Sequence, residues 1–250
     1  MTELLDLTVS QIIILAMICF AAGLVRGFSG FALSALVMAS AALILSPIQL
    51  IPICWFLEMS ASLLMGKGGW KEADRKLVYA LVITSGIGAP IGLLLTTSID
   101  VELSKLIALS IIITLAGLQL TRIQIPALAS KPGTYATGLI AGIVSGIASV
   151  GGMVIALYVL SSQTPARQMR AALVLFLFLS SAISMFWLIW FEVLTQVAFL
   201  RGLAFALPAM LGVYAGMKLF TPRFEPYYRP FCLTLLCGLS AFGLLRLSLS

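Results

Sequence analysis

Long apolar stretches separated by short polar loops occupy almost the whole chain. In chain order, these stretches cover residues 10–45, 50–66, 76–97, 102–121, 134–163, 170–190, 196–217 and 230–248. Several exceed the roughly 18 residues that indicate a helix able to cross a bilayer. With 61% hydrophobic and 10% charged residues, the chain lacks the polar surface that a water-soluble protein of 250 residues shows. We therefore predict an all-α integral membrane protein, built as a single transmembrane domain.

The sequence contains an internal repeat. The motif Ala-Gly-Leu-Val-Arg-Gly at 22–27 recurs 119 residues later as Ala-Gly-Ile-Val-Ser-Gly at 141–146. Two pairs of prolines, each 118 residues apart, agree with this register to within one residue: Pro47 with Pro165, and Pro90 with Pro208. Three landmarks in one register predict a duplication. The predicted units are repeat one at about 10–121, a cytoplasmic linker at 122–133 and repeat two at about 134–248.

Positive charges predict how the chain is inserted. Eleven of the fifteen Lys and Arg residues lie in the loops 67–76, 122–133, 164–170 and 218–229. The intervening loops and the start of the chain contain none and carry Asp or Glu instead. Because Lys and Arg are retained on the cytoplasmic side, these four loops are expected inside and both termini in the periplasm. Acidic residues at the start also argue against a cleaved leader.

The same charges predict that the two repeats are inverted. If the loops on either side of 134–163 are both cytoplasmic, this stretch must enter and leave on one side, as a hairpin. By the repeat, 10–45 is a second hairpin that opens to the outside. Each half is then an interrupted helical hairpin followed by three transmembrane helices, and an odd number of spans reverses the second half. The alternative is that each interrupted stretch is one span, which gives four helices per half and parallel repeats.

The hairpin tips are the predicted binding site. Each arm has about 13 to 17 residues, at or below the length that crosses a ~30 Å core, so the tips are expected near the midplane. Backbone there must face protein or water, and interrupted helices at matching places in inverted halves point to a transporter's site. The second arms are expected to start at about Gly30 and Gly151. Their free N–H groups and positive dipole ends favour an anion.

The tips carry glycines for close backbone approach, serines for hydrogen bonding and one arginine for a charge-assisted pair. The candidate substrate-binding residues are Arg26, Gly27, Ser29, Gly30, Ser145, Gly146, Ser149, Gly151 and Gly152. The alternative is that the small residues only let helices pack closely, as they commonly do in membranes. For Arg26 the alternative is a cytoplasmic anchor.

Two further charged residues are candidates for function. Arg201, near an expected outer helix end, is a candidate for guiding anions through an outer vestibule, whereas Lys105 and Arg246 are expected to extend to the interface. Glu58 lies deep inside the span 50–66, where an acidic side chain is costly and is usually functional or paired. It is expected either to carry a coupling proton or to pair with an inward-facing arginine.

Other functional classes find little support. The four cysteines lie in apolar stretches without metal-ligand spacing, and the chain has no histidine, so we expect no metal, disulfide or cofactor. Basic residues are scattered over loops and form no nucleic-acid-binding face. No pair of nucleophile and base is apparent, so we expect no enzyme.

Two glycine-rich segments resemble a known family. Gly-Leu-Val-Arg-Gly-Phe-Ser-Gly-Phe at 23–31, Ser-Gly-Ile-Ala-Ser-Val-Gly-Gly at 145–152 and Pro165 look like the sulfite exporter TauE/SafE family. The chain departs from the expected pattern at Ala32, Ser34 and Ser149, where glycine is frequent. The resemblance implies a bacterial inner-membrane carrier for sulfite, a sulfonate such as sulfoacetate, or a related small organic anion.

The sequence therefore predicts a secondary transporter that exports a small sulfur-containing anion by alternating access, coupled to protons or sodium. The alternatives are a transporter for another small organic anion and an anion channel, which a continuous polar pore would favour. The sequence defines no oligomeric state.

Overall fold

The computed structural model describes residues 2–66, 73–121, 130–161, 166–219 and 225–248, which form helices joined by short connections. In chain order the helices are α1 (Thr2–Leu5), α2 (Val9–Ser29), α3 (Leu33–Ala41), α4 (Pro47–Met65), α5 (Arg75–Ser98), α6 (Val101–Leu120), α7 (Lys131–Ala148), α8 (Gly151–Ser161), α9 (Ala166–Trp190), α10 (Gln196–Leu219) and α11 (Glu225–Ser248). Within these described residues, six helices are long and apolar enough to cross a membrane: α2, α4, α5, α6, α9 and α10. The predicted all-α membrane fold is confirmed.

Polar side chains at the N-terminal ends explain where several helices begin. Thr8 accepts a hydrogen bond from the Gln11 backbone N–H, and the Gln11 side chain accepts one from the Thr8 backbone, which forms a capping box before α2. The Asp74 carboxylate caps α5 by accepting hydrogen bonds from the Lys76 and Leu77 backbone N–H groups. The Asp100 carboxylate caps α6 by accepting one from the Leu103 N–H. Ser130 caps α7 at 3.1 Å from the Gly133 nitrogen. Because of this cap, the last three residues of the predicted linker 122–133 are already helical.

The second interrupted stretch folds back on itself as a hairpin. Near its open end, the Tyr158 hydroxyl of α8 lies 3.0 Å from the Thr134 hydroxyl of α7. Near the turn, Gly151 at the start of α8 lies against Ala141 of α7. Later residues of α8 thus meet earlier residues of α7, so the two helices are antiparallel.

The break in the first hairpin lies later than the sequence predicted. The Gly30 N–H still donates to the Arg26 carbonyl at 2.8 Å, so α2 continues through Ser29 and the chain breaks at 30–32. The second arm begins at Leu33 instead of Gly30, whereas Gly151 does begin α8 as predicted. The arms are also unequal: α2 and α7 have 21 and 18 residues, and α3 and α8 have nine and eleven.

Both turns use left-handed backbone. Gly30 ends α2 with φ of 82° and Ser149 ends α7 with φ of 57°, and these two residues are 119 apart, as in the sequence repeat. Ala32 precedes α3 with φ of 73°. L-residues adopt this conformation at a cost of roughly 1–2 kcal/mol, which glycine avoids. Ala32 and Ser149, two of the departures from the glycine pattern, therefore stand where glycine is the favoured residue.

Glycines hold two helix pairs in direct backbone contact. Gly23, Gly27, Gly212 and Gly216 join α2 to α10, and Gly138, Gly142, Gly146, Gly88 and Gly92 join α7 to α5. In both pairs the contact positions rise together along the two helices, so the paired helices run parallel. Each pair joins a helix of the first half to a helix of the second, and the same contacts occur in both pairs.

These contacts also correct the register of the repeat. The contacts relate α2 to α7 by 119 residues, which agrees with the sequence motif, but they relate α5 to α10 by 124 residues. Pro90 and Pro208, 118 residues apart, therefore do not occupy equivalent places in α5 and α10. Pro165 and the loop positions 67–72, 122–129, 162–165 and 220–224 lie outside the described residues.

Candidate functional site

A cavity of about 60 Å³ lies where the two halves meet, which is room for a small ligand. From the first half its wall contains Ser34, Ile51, Cys54, Trp55, Glu58, Ala89 and Leu93. From the second half it contains Ser145, Gly146, Ser149, Gly152, Leu177, Ser180, Ser181, Ser184 and Leu188. Six of these residues are serines, so the wall offers many hydroxyl groups in otherwise apolar surroundings.

The second hairpin tip forms one side of this cavity. Ser145 and Gly146 belong to the last turn of α7, Ser149 is the left-handed turn residue, and Gly152 belongs to the first turn of α8. Four of the predicted site residues are thus brought together at one wall. Gly151 has a different position, because a Cβ there would overlap the Ala141 carbonyl and the Ser145 hydroxyl. It lets α8 fold closely onto α7.

Glu58 supplies the only charge among the described residues of the wall. It is 8% exposed, and its Oε1 accepts hydrogen bonds from the Ser34 hydroxyl at 2.8 Å and the Ser34 N–H at 3.3 Å. That N–H belongs to the first turn of α3. The carboxylate therefore sits at the positive end of a helix, where a negative charge is stabilised.

Arg26 is fully buried behind Glu58 and does not line the cavity. Its Nη2 lies 3.4 Å from Glu58 Oε2 and donates to the Ser62 hydroxyl at 3.2 Å, while Nη1 donates to the Gly30 carbonyl. The pairing of Glu58 with an inward-facing arginine, one of the two alternatives for this residue, is confirmed. The pair is incompletely satisfied within the described residues, because Arg26 Nε and Glu58 Oε2 have no hydrogen-bond partner.

The rest of the first tip supports the fold around this pair. Gly27 lies against the Val213 carbonyl of α10. The Ser29 hydroxyl donates to the carbonyl oxygens of Val25 and Phe31 at 2.9 and 2.8 Å. Like Arg26, none of Gly27, Ser29 and Gly30 belongs to the described wall of the cavity. The structure therefore brings the second tip to the cavity and the first tip to the Arg26–Glu58 pair.

Arg201 lies at a second cavity, of about 400 Å³, whose wall also contains Asp6 and Glu192. It is 3% exposed and holds the start of the chain: Nε donates to the Leu5 carbonyl at 2.7 Å and Nη2 to the Asp6 carbonyl at 2.9 Å. Its Nη2 also lies 3.6 Å from the Asp6 carboxylate. The sequence pattern gave no sign of this contact, since the partners are almost 200 residues apart.

Sequence reasoning also missed the contribution of α9. Ser180, Ser181 and Ser184 lie on one face of this helix at the cavity wall, because positions three and four apart share a helix face. The Trp55 indole N–H of α4 donates to the Ser181 carbonyl at 2.7 Å and fixes α9 against the first half. These serines gave no distinct signal in the sequence, because serines in a membrane helix commonly bond their own backbone.

Comparison with known proteins places the chain in a family. The model of the sulfite exporter TauE/SafE family matches residues 15–243, a range that contains both hairpin tips, Glu58 and all of α9. No curated protein and no solved structure matches the chain significantly. The resemblance seen in the sequence is thereby confirmed over nearly the whole chain. The protein belongs to the sulfite exporter TauE/SafE family of membrane transporters for sulfur-containing anions.

Proposed function

We propose that this protein is a secondary transporter that exports sulfite or an organosulfonate such as sulfoacetate across the bacterial inner membrane. The observation that carries the proposal is the serine-lined cavity between the halves, closed on one side by the second hairpin tip. Hydroxyl groups and the N-terminus of α8 are suitable donors for a small oxyanion. A binding place between two halves is what alternating access requires, because movement of the halves can open it to either side.

The parallel packing of the helix pairs supports an inverted arrangement. In the proposed topology the successive helices α2, α3, α4 and α5 reverse direction at each connection, so α5 runs opposite to α2. The glycine contacts make α7 parallel to α5, and α7 is the repeat partner of α2. These directions support the proposal of two halves of opposite orientation, with the basic loops inside and both termini in the periplasm. In the same arrangement Arg201 borders an outer cavity, in keeping with a role in guiding anions.

Efflux from vesicles tests the transport function. The purified protein, reconstituted into vesicles loaded with labelled sulfite, sulfoacetate, taurine or an organic carboxylate, is expected to release sulfite or sulfoacetate fastest. The reason is that sulfite and sulfoacetate are net anions with three sulfur-bound acceptor oxygens for the serine wall, whereas taurine is a zwitterion without net charge and a carboxylate offers only two oxygens. Protein-free vesicles are the control, and single-channel recording tests for a pore. Equal inertness towards all four compounds, or channel currents, would contradict the proposal.

Glu58 is the proposed proton-coupling residue, because it is buried, borders the cavity and pairs with Arg26. Protonation would free Arg26 from its counter-charge and so link proton binding to the first tip. Glu58→Gln leaves Arg26 buried without its counter-charge and should be less stable than the wild type, so efflux is compared at equal amounts of folded protein. We expect the folded variant to lose the response of efflux to an imposed pH gradient. Glu102→Gln, at an exposed pair with Lys105, is the matched control. A pH response that Glu58→Gln leaves intact would exclude this role.

A further inference from the structure

The two hairpins differ in what stands at the start of their second arm. At α3 this place is already occupied by an anion, the Glu58 carboxylate, which accepts both the N–H and the hydroxyl hydrogen bonds of Ser34. Arg26 of the preceding helix compensates the charge at 3.4 Å. The first half therefore contains a complete oxyanion site that is filled from within the chain.

The second half has a related turn, and none of its described residues supplies an anion there. Ser149 takes the left-handed conformation of Gly30, although the second turn has no counterpart of the left-handed Ala32 and α8 starts one residue earlier in the repeat register than α3. The repeat partner of Arg26, 119 residues later, is Ser145, whose short side chain leaves the space open. In place of a carboxylate there is the cavity, and across it stands α9 with Ser180 and Ser184.

We infer that the oxyanion group of the substrate occupies, in the second half, the place that the Glu58 carboxylate occupies in the first. Ser180 and Ser184 of α9 are then the residues that determine specificity, with Ser145 and Ser149 facing them. This inference rests on the proposed transport of a sulfur-containing anion. It differs from a site shared by both tips, because Arg26 neutralises Glu58 and does not touch the substrate.

The balance of charge permits an anion near Glu58. Glu58 is more than nine-tenths buried and borders the cavity, and Arg26 lies 3.4 Å from its Oε2. The Arg26 guanidinium, which is also inaccessible to solvent, balances the negative charge of this carboxylate. The described residues of the cavity wall therefore offer neutral hydrogen-bond donors and no unpaired positive charge. Neutral hydroxyls discriminate by the number and directions of acceptor oxygens, because a donor left without an acceptor is costly. Such a wall favours three sulfonate oxygens over two carboxylate oxygens.

The test compares two probes of similar size, methanesulfonate and acetate. Binding to the purified full-length protein is measured by calorimetry and by protection against thermal unfolding, so that the result does not depend on transport. We expect Ser180→Ala and Ser184→Ala each to weaken methanesulfonate binding about tenfold or more, as for a lost hydrogen bond to a charged group. Acetate binding should change much less, so that the preference between the probes falls.

Ser60→Ala is the matched control, because the Ser60 hydroxyl donates to Leu57 within α4 and does not line the cavity. The inference is overturned if the α9 variants bind methanesulfonate like Ser60→Ala, or if they weaken both probes equally. The efflux assay separates the two claims. A wild-type protein that binds methanesulfonate through the α9 serines but transports no sulfur-containing anion would contradict the proposed function and leave the inference standing.

Discussion

Replacement of Arg26 by glutamine is expected to lower the free energy of unfolding by about 3–5 kcal/mol, because Glu58 would remain buried without its counter-charge. The present partners of Arg26 are Glu58, Ser62 and the Gly30 carbonyl, and the residue is wholly inaccessible to solvent. Loss of the guanidinium also removes the contact that ties the end of α2 to the turn at Gly30. Chemical unfolding in detergent, followed by circular dichroism, measures the change.

Two comparison variants define the origin of this loss. The double variant Arg26→Gln/Glu58→Gln removes both charges and should recover most of the stability, since replacing a buried pair by neutral groups is far less costly than leaving one charge alone. Lys105→Gln breaks a pair that includes an exposed Glu102 carboxylate at 3.2 Å and should cost less than about 1 kcal/mol. If Arg26→Gln is no more destabilising than Lys105→Gln, the Arg26–Glu58 pair is not an essential element of the fold.

The long apolar stretches predicted the membrane helices closely because length and composition alone define a span. The stretches 76–97 and 196–217 became α5 (Arg75–Ser98) and α10 (Gln196–Leu219) with shifts of one or two residues. The turns were harder to place. Gly27 and Gly30 both permit a break, and only the hydrogen bond from Gly30 to Arg26 decides that the helix runs on to Ser29.

The candidate site was predicted in part, for a related reason. A tip sequence shows which residues are small or polar, but not which element lies opposite. Serines in a membrane helix commonly bond their own backbone, so Ser180 and Ser184 gave no distinct signal before α9 was seen at the cavity. The Arg26–Glu58 pair could be predicted as an alternative from the sequence, because charged side chains within apolar stretches are usually paired with each other.

Substitution of Gly27 or Gly146 by alanine is expected to destabilise the protein by about 3 kcal/mol, at the upper end of the usual cost of overpacking. A Cβ at Gly27 would overlap the Val213 carbonyl, and one at Gly146 would overlap the Ala89 carbonyl. Neither neighbour is a flexible side chain, so two helices must separate. Gly27 lies four residues after Gly23, and Gly146 lies four residues after Gly142. These spacings form the small-residue pattern that lets membrane helices approach closely.

Gly117→Ala is the matched control, because no atom lies within 4 Å of the added methyl group and alanine favours the interior of α6. It should stabilise the protein by about 0.5–1 kcal/mol, opposite in sign to the other two. The same variants distinguish packing from ligand binding at the tips, since both Gly27 and Gly146 were candidates for contact with the anion. A packing role lowers the unfolding free energy without ligand present. The opposite outcome is that Gly27→Ala and Gly146→Ala unfold like the wild type and lose only anion affinity. In that case the glycines contact the substrate, and the close contacts of α2 with α10 and of α7 with α5 do not determine stability.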